Sequence, residues 1–125
     1  MTEKQFVLVV EDDPFYANIY KTKLKKEGID AEVVINGDAA MVMAKKRKPA
    51  LILTDLIMPG KDGFATLKEV KADPELKDIK VIVLSNLSQE EDIRRVKELG
   101  AAEYLIKANV SIQDVIDKIK SNLAA

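Results

Sequence analysis

No cysteine occurs in the 125-residue chain, which excludes disulfides and thiolate–metal sites. Histidine is absent too, removing the usual general base and the commonest metal ligand. Any chemistry must therefore run on carboxylates, hydroxyls and lysines. Neither charge dominates: 20 basic residues stand against 21 acidic ones, a formal charge of -1. A nucleic-acid-binding domain would be strongly basic, so no direct nucleic-acid contact is expected. Long hydrophobic runs are also missing. The early run Phe6–Val10 is far too short for a signal-peptide core or a membrane span. A cytoplasmic protein without membrane contact is the expectation. No Pro-, Ser- or Gly-rich linker and no internal repeat divides the chain. A single domain over residues 1–125 is expected at this length.

What is present is ordinary for a globular chain, 47% hydrophobic and 33% charged, and long enough to bury a core unaided. Apolar runs recur at Phe6–Val10, Ala31–Ile35, Ala50–Leu53, Val81–Leu84 and Tyr104–Ile106. The middle runs are rich in Val, Ile and Leu without strict alternation, as in parallel strands covered on both faces. Helical signals fill the gaps. Asp13-Pro14 reads as a cap followed by a first-turn proline, opening a helix to about Lys26 with Gly28 past its end. A second helix starts within Asn36-Gly37-Asp38, and Asp62 caps a third near Phe64. Ser88 with Glu91 resembles a capping box for a fourth, closed by Gly100. The last helix carries Ile112, Val115, Ile116, Ile119 and Leu123 at 3.6-residue spacing, capped by Ser111 with Asp114. Lys45-Lys46-Arg47-Lys48 reads as the solvated end of the second helix, where cations are favoured anyway. Strand and helix alternate throughout, which argues for a three-layer α/β fold on a doubly wound parallel sheet with right-handed connections.

The residues after each strand carry the chemistry. Glu11, Asp12 and Asp13 follow the first, Asp55 the third, Ser85 and Asn86 the fourth, and Lys107 the fifth. Ligands of open α/β sheets bind beyond the carboxyl ends of the strands, where strand order reverses. If the first and third strands are neighbours, the acidic cluster meets Asp55 there. Carboxylates brought that close repel one another, and a hard divalent cation such as Mg²⁺ relieves this with oxygen ligands. Lys107 adds a positive charge and Ser85 a hydroxyl donor. A nucleophilic carboxylate, a metal site, an ammonium and a hydroxyl suit formation of an aspartyl-phosphate. Positioning and charge neutralisation do most of the work in phosphoryl transfer, so the missing histidine is no handicap.

In VLVVEDD, LILTDLIMPGKDG, VIVLSN and AAEYLIK the chain resembles response-regulator receiver domains, the phosphoacceptor modules of bacterial two-component signalling. The resemblance runs the whole length. It implies a flavodoxin-like (βα)5 sheet of order 2-1-3-4-5, the order that the chemotaxis member of that family exemplifies. It further implies Asp55 as phosphoacceptor and Glu11, Asp12 and Asp55 as Mg²⁺ ligands, with the backbone carbonyl of Ile57. Lys107 and Ser85 would assist the transfer, and Ser85 and Tyr104 would form the switch. A histidine kinase, a histidine phosphotransfer protein or a small phosphodonor would supply the phosphoryl group. Ser85 would then move to a phosphoryl oxygen, Tyr104 would turn inward, and the face of the fourth helix, fifth strand and fifth helix would change for a downstream protein. Such a protein is a monomer or a phosphorylation-dependent dimer, and a signalling switch rather than an enzyme.

Two residues depart from the family's pattern. Ala108 follows Lys107 where the family usually has a proline in a cis peptide, so a trans bond and a locally different loop are expected. Asn86 stands where a small residue is common; it either slows donor access or holds a water against the phosphoryl group. Tyr104 has a rival reading as edge-strand packing. A phosphate-independent pseudo-receiver is the main alternative, opposed by intact Asp55, Glu11, Asp12 and Lys107. A phosphatase of the haloacid dehalogenase type would need a second aspartate where Ile57 stands.

Overall fold

The structure, a computed structural model, describes residues 5–124. Strands β1 (Phe6–Val10), β2 (Asp30–Val34), β3 (Leu51–Thr54), β4 (Lys80–Ser85) and β5 (Glu103–Ile106) alternate with helices α1 (Pro14–Lys26), α2 (Gly37–Lys46), α3 (Gly63–Ala72), α4 (Glu90–Glu98) and α5 (Ile112–Ala124). All strand pairs are parallel, in the order β2-β1-β3-β4-β5. β1 therefore lies between β2 and β3, with Val10 opposite Thr54. That register sets the residues after the two strands, Glu11 and Asp55, side by side.

Strand pleating explains the unbroken apolar runs. Val7 and Val9 of β1 join Leu51, Leu53, Ile82 and Leu84 in a core closed by Tyr20 and Leu24 of α1 and Val115, Ile116 and Ile119 of α5. Phe6, Leu8 and Val10 point the other way, into a core with Ile52, Val81 and Val83 that α2, α3 and α4 cover. Successive side chains face opposite layers, and each layer is roofed by helices. The edge strands differ: every residue of β2 is only half-buried. β2 starts one residue earlier than its apolar run, and Ile35 falls beyond it, 60% exposed.

Most helix starts follow the expected chemistry. Asp13 accepts the Phe15 N–H, Asn36 that of Ala39 and Asp62 that of Ala65. The Ser111 hydroxyl accepts the Asp114 N–H at 3.0 Å while Asp114 accepts the Ser111 N–H at 2.9 Å, a reciprocal capping box. The start of α4 is a correction. Its cap position is Gln89 rather than Ser88, and the Gln89 side chain makes no cap bond. Leu87 explains the later start. Its N–H goes to Ser85 Oγ and its carbonyl takes the Tyr104 hydroxyl, so the chain stays extended past Ser88. Among the described residues no helix is long and apolar enough to cross a membrane.

Candidate functional site

Three loops at the carboxyl end of the sheet build one cluster. From the β1–α1 loop, Glu11 is almost fully buried, its N–H tied to the Val34 carbonyl. Asp12 beside it is exposed, and Asp13 is committed to capping α1. From β3, the Asp55 N–H donates to the Val10 carbonyl, which continues the ladder one residue past the strand and fixes the carboxylate at its tip. Asp55 Oδ1 accepts the Leu56 N–H at 2.6 Å and lies 3.4 Å from the Ile57 nitrogen. Ligand oxygens of Glu11, Asp12 and Asp55 lie within 4.8 Å of one another.

Lys107 arrives from the end of β5, in a short 3-10 turn, Lys107–Asn109. Its ammonium donates to Glu11 Oε1 at 2.7 Å and to Asp55 Oδ2 at 2.8 Å, with the lysine side chain only 10% exposed. Burial pushes the Glu11 carboxyl above its ordinary value, outweighing the pull of Lys107 and of the Asp13 N–H. Burial lowers the Lys107 ammonium, but its bonds to Asp55 and Glu11 win and hold it above the ordinary lysine value. Three carboxylates thus face one ammonium, an excess of two negative charges. The donors are all oxygen, with no nitrogen or sulfur ligand, and this set fits a hard divalent cation.

Ser85, at the end of β4, is buried, and its hydroxyl accepts the Leu87 N–H at 3.2 Å. The Tyr104 hydroxyl donates to the Leu87 carbonyl at 2.6 Å, so both proposed switch residues hold the same residue, through the peptide units on its two sides. Tyr104 is partly buried against the core on the α4 side, and burial raises its phenol above the ordinary value. The described chain has no cis peptide, so Lys107–Ala108 is trans. The Ala108 N–H finds the Asn86 side-chain oxygen at 3.1 Å, tying the β4–α4 loop to the turn that carries Lys107.

Gly63 was not singled out as a site residue, although it closes the same motif. A Cβ there would sit 2.2 Å from the Asp55 carbonyl oxygen and 2.7 Å from Leu56 Cα. Only hydrogen fits against the phosphoacceptor candidate's backbone. The signal was present in the sequence as a glycine just after the Asp62 cap, where helix chemistry alone asks for no glycine.

A parallel sheet whose acidic pocket sits where strand order reverses, with a lysine paired into it, defines a signal-receiver type of α/β domain. Residues 7–120 match the family described as response regulator receiver domain, and the chain belongs to that family. It is a response-regulator receiver domain, the kind of module that two-component signalling uses. The chain is 36% identical over 107 residues to a gliding motility regulatory protein of Myxococcus xanthus, a stretch covering 86% of this chain but only 14% of that relative. It is similar to the receiver domain of a signal transduction histidine kinase from Syntrophus aciditrophicus, at TM-score 0.88 and 33% identity, covering 96% of this chain and 90% of the other. The Mn²⁺-bound form of response regulator Rcp1 is similar at TM-score 0.78 and 33% identity, covering 94% and 90%.

Proposed function

We propose that residues 1–125 act as one phosphoacceptor unit in which Asp55 takes a phosphoryl group from a phosphohistidine or a small phosphodonor. The observation that carries this is the Lys107 ammonium bridging Glu11 and Asp55 inside a group that also holds Asp12. Glu11, Asp12, Asp55 and the Ile57 carbonyl would hold Mg²⁺, which supplies charge neutralisation between carboxylates and phosphoryl oxygens. An Asp55 carboxylate oxygen forms the bond to phosphorus as the phosphorus–nitrogen bond of the donor breaks. The imidazole leaves with the electron pair and is protonated. Lys107 meets the charge placed on Asp55, about −1.5 to −2.

The switch then runs through Leu87. Ser85 Oγ releases the Leu87 N–H and donates its own proton to a phosphoryl oxygen, and Tyr104, bonded to the same residue's carbonyl, settles inward with the displaced loop. The face of α4, β5 and α5 is thereby altered for a downstream protein, a shift between two states biased by contacts made in one. The donor is a histidine kinase or a histidine phosphotransfer protein in the cytoplasm, and the unit is a monomer or dimerises on phosphorylation. Intact-mass measurement after incubation with acetyl phosphate and Mg²⁺ tests this. One phosphoryl adduct is expected, absent without metal and absent in Asp55→Asn. An unmodified native chain, or an adduct that survives Asp55→Asn, would overturn it.

A further inference from the structure

Lys107 has a third neighbour, and it is not a carboxylate. Its Nζ lies over the ring of Tyr16, 4.7 Å from the centroid. A cation over an aromatic face is attracted by the ring quadrupole, and more strongly where water is excluded. With the lysine side chain 10% exposed, water is largely excluded here.

The ring is itself held in place. Tyr16 stacks on Tyr20, centroids 6.1 Å apart and planes 22° from parallel, and Tyr20 is buried in the core under α1. Phe15 meets Tyr16 edge-on at 5.5 Å. A crevice of about 320 Å³, lined among others by Tyr16, Tyr20, Leu84, Lys107 and Val110, runs between α1 and the turn after β5. Tyr16 and Lys107 both line it, so removing the ring widens the space beside the lysine.

We infer that Tyr16 is a positioning residue for phosphoryl transfer, its ring face holding the Lys107 ammonium against Glu11 and Asp55. An aromatic face offers a cation attraction without competing for its N–H donors. The three donors of Lys107 stay directed at the acidic pocket: two reach Glu11 and Asp55, and one is left for a phosphoryl oxygen. A leucine keeps an apolar contact with Tyr20, though not the ring stacking, and removes the face that holds the lysine, which is then free to swing toward the crevice. Packing and cation holding therefore make different predictions.

This inference rests on the reading of Asp55 as phosphoacceptor, so its test has one arm that needs no phosphate. In the metal-free protein, the Lys107 Cε protons are expected upfield from the ring current of Tyr16. Tyr16→Phe keeps that shift, and Tyr16→Leu loses it. In the second arm, Mg²⁺-dependent phosphorylation by acetyl phosphate slows about tenfold in Tyr16→Leu, stays near the native rate in Tyr16→Phe, and Mg²⁺ affinity stays within about twofold in both. Should Tyr16→Leu fold poorly, Tyr16→Met replaces it in both arms. An unshifted native Lys107 resonance, or a native phosphorylation rate in the leucine variant, would overturn the inference. Failure of the functional reading looks different: the native protein takes no phosphate, while the Lys107 resonance still reports the ring.

Discussion

The β3–α3 and β4–α4 segments leave the same end of the sheet side by side, yet they are built in opposite ways. The first carries Asp55 and is pinned at both ends. Leu56 is fully buried, Gly63 presses its backbone on the Asp55 carbonyl, and the Lys61 carbonyl takes the Gly37 N–H. The Lys61 ammonium pairs with Asp38 and Glu69, and Asp62 caps α3. The second carries Ser85 and enters α4 without a side-chain cap. α4 buries only Val96, helped by Arg95 over the Phe64 ring at 4.2 Å. The difference separates two jobs. Phosphoryl chemistry needs a carboxylate fixed to fractions of an ångström, whereas a switch needs an element that moves at low cost.

That contrast can be broken from the rigid side. Gly63→Ala drives a methyl into backbone that has nowhere to go, and a loss of about 3 kcal/mol in denaturant unfolding is expected. Asp62→Ala, which removes one cap from the same segment, costs about 1 kcal/mol in the same measurement. From the loose side, Gln89→Ser supplies α4 with the cap it lacks and adds roughly 0.5–1 kcal/mol. Amide exchange in α4, faster than in α3 in the native protein, should slow in that variant while α3 stays unchanged. If α4 already exchanges as slowly as α3, the contrast is wrong.

The smallest effect expected is electrostatic. Burial raises the Glu11 carboxyl above 4.5 against the pull of Lys107. A carboxyl raised on folding favours the fold fully below its unfolded value, and that contribution is lost as pH rises through the raised one. In metal-free protein, carbon-13 titration should place the Glu11 midpoint above 4.5, and Lys107→Met should move it further up. A midpoint that drops in Lys107→Met would contradict the pairing.

Sequence signals that act over a few residues proved readable: Asp13, Asp62 and the Ser111–Asp114 pair all cap where their spacing placed them. The meeting of Glu11, Asp12, Asp55 and Lys107 was also legible, because parallel strands deliver whatever follows them to one edge. Ser88 misled because the Ser-x-x-Glu pattern is local, whereas Leu87 is held by Ser85 and by Tyr104, a residue 17 positions away. Tyr16 carries no local mark in the sequence, because its contact with Lys107 exists only across the fold. Asn86 and Ala108 stood out separately as departures, and space joins them through one hydrogen bond.

The most direct test is a crystal structure with Mg²⁺ and beryllofluoride. The mimic is expected on Asp55, the metal on the Glu11, Asp12 and Asp55 carboxylates directly or through water, and Lys107 Nζ and Ser85 Oγ turned onto the fluorides. A mimic seated elsewhere, or a Lys107 that leaves the pocket when the metal enters, would contradict it.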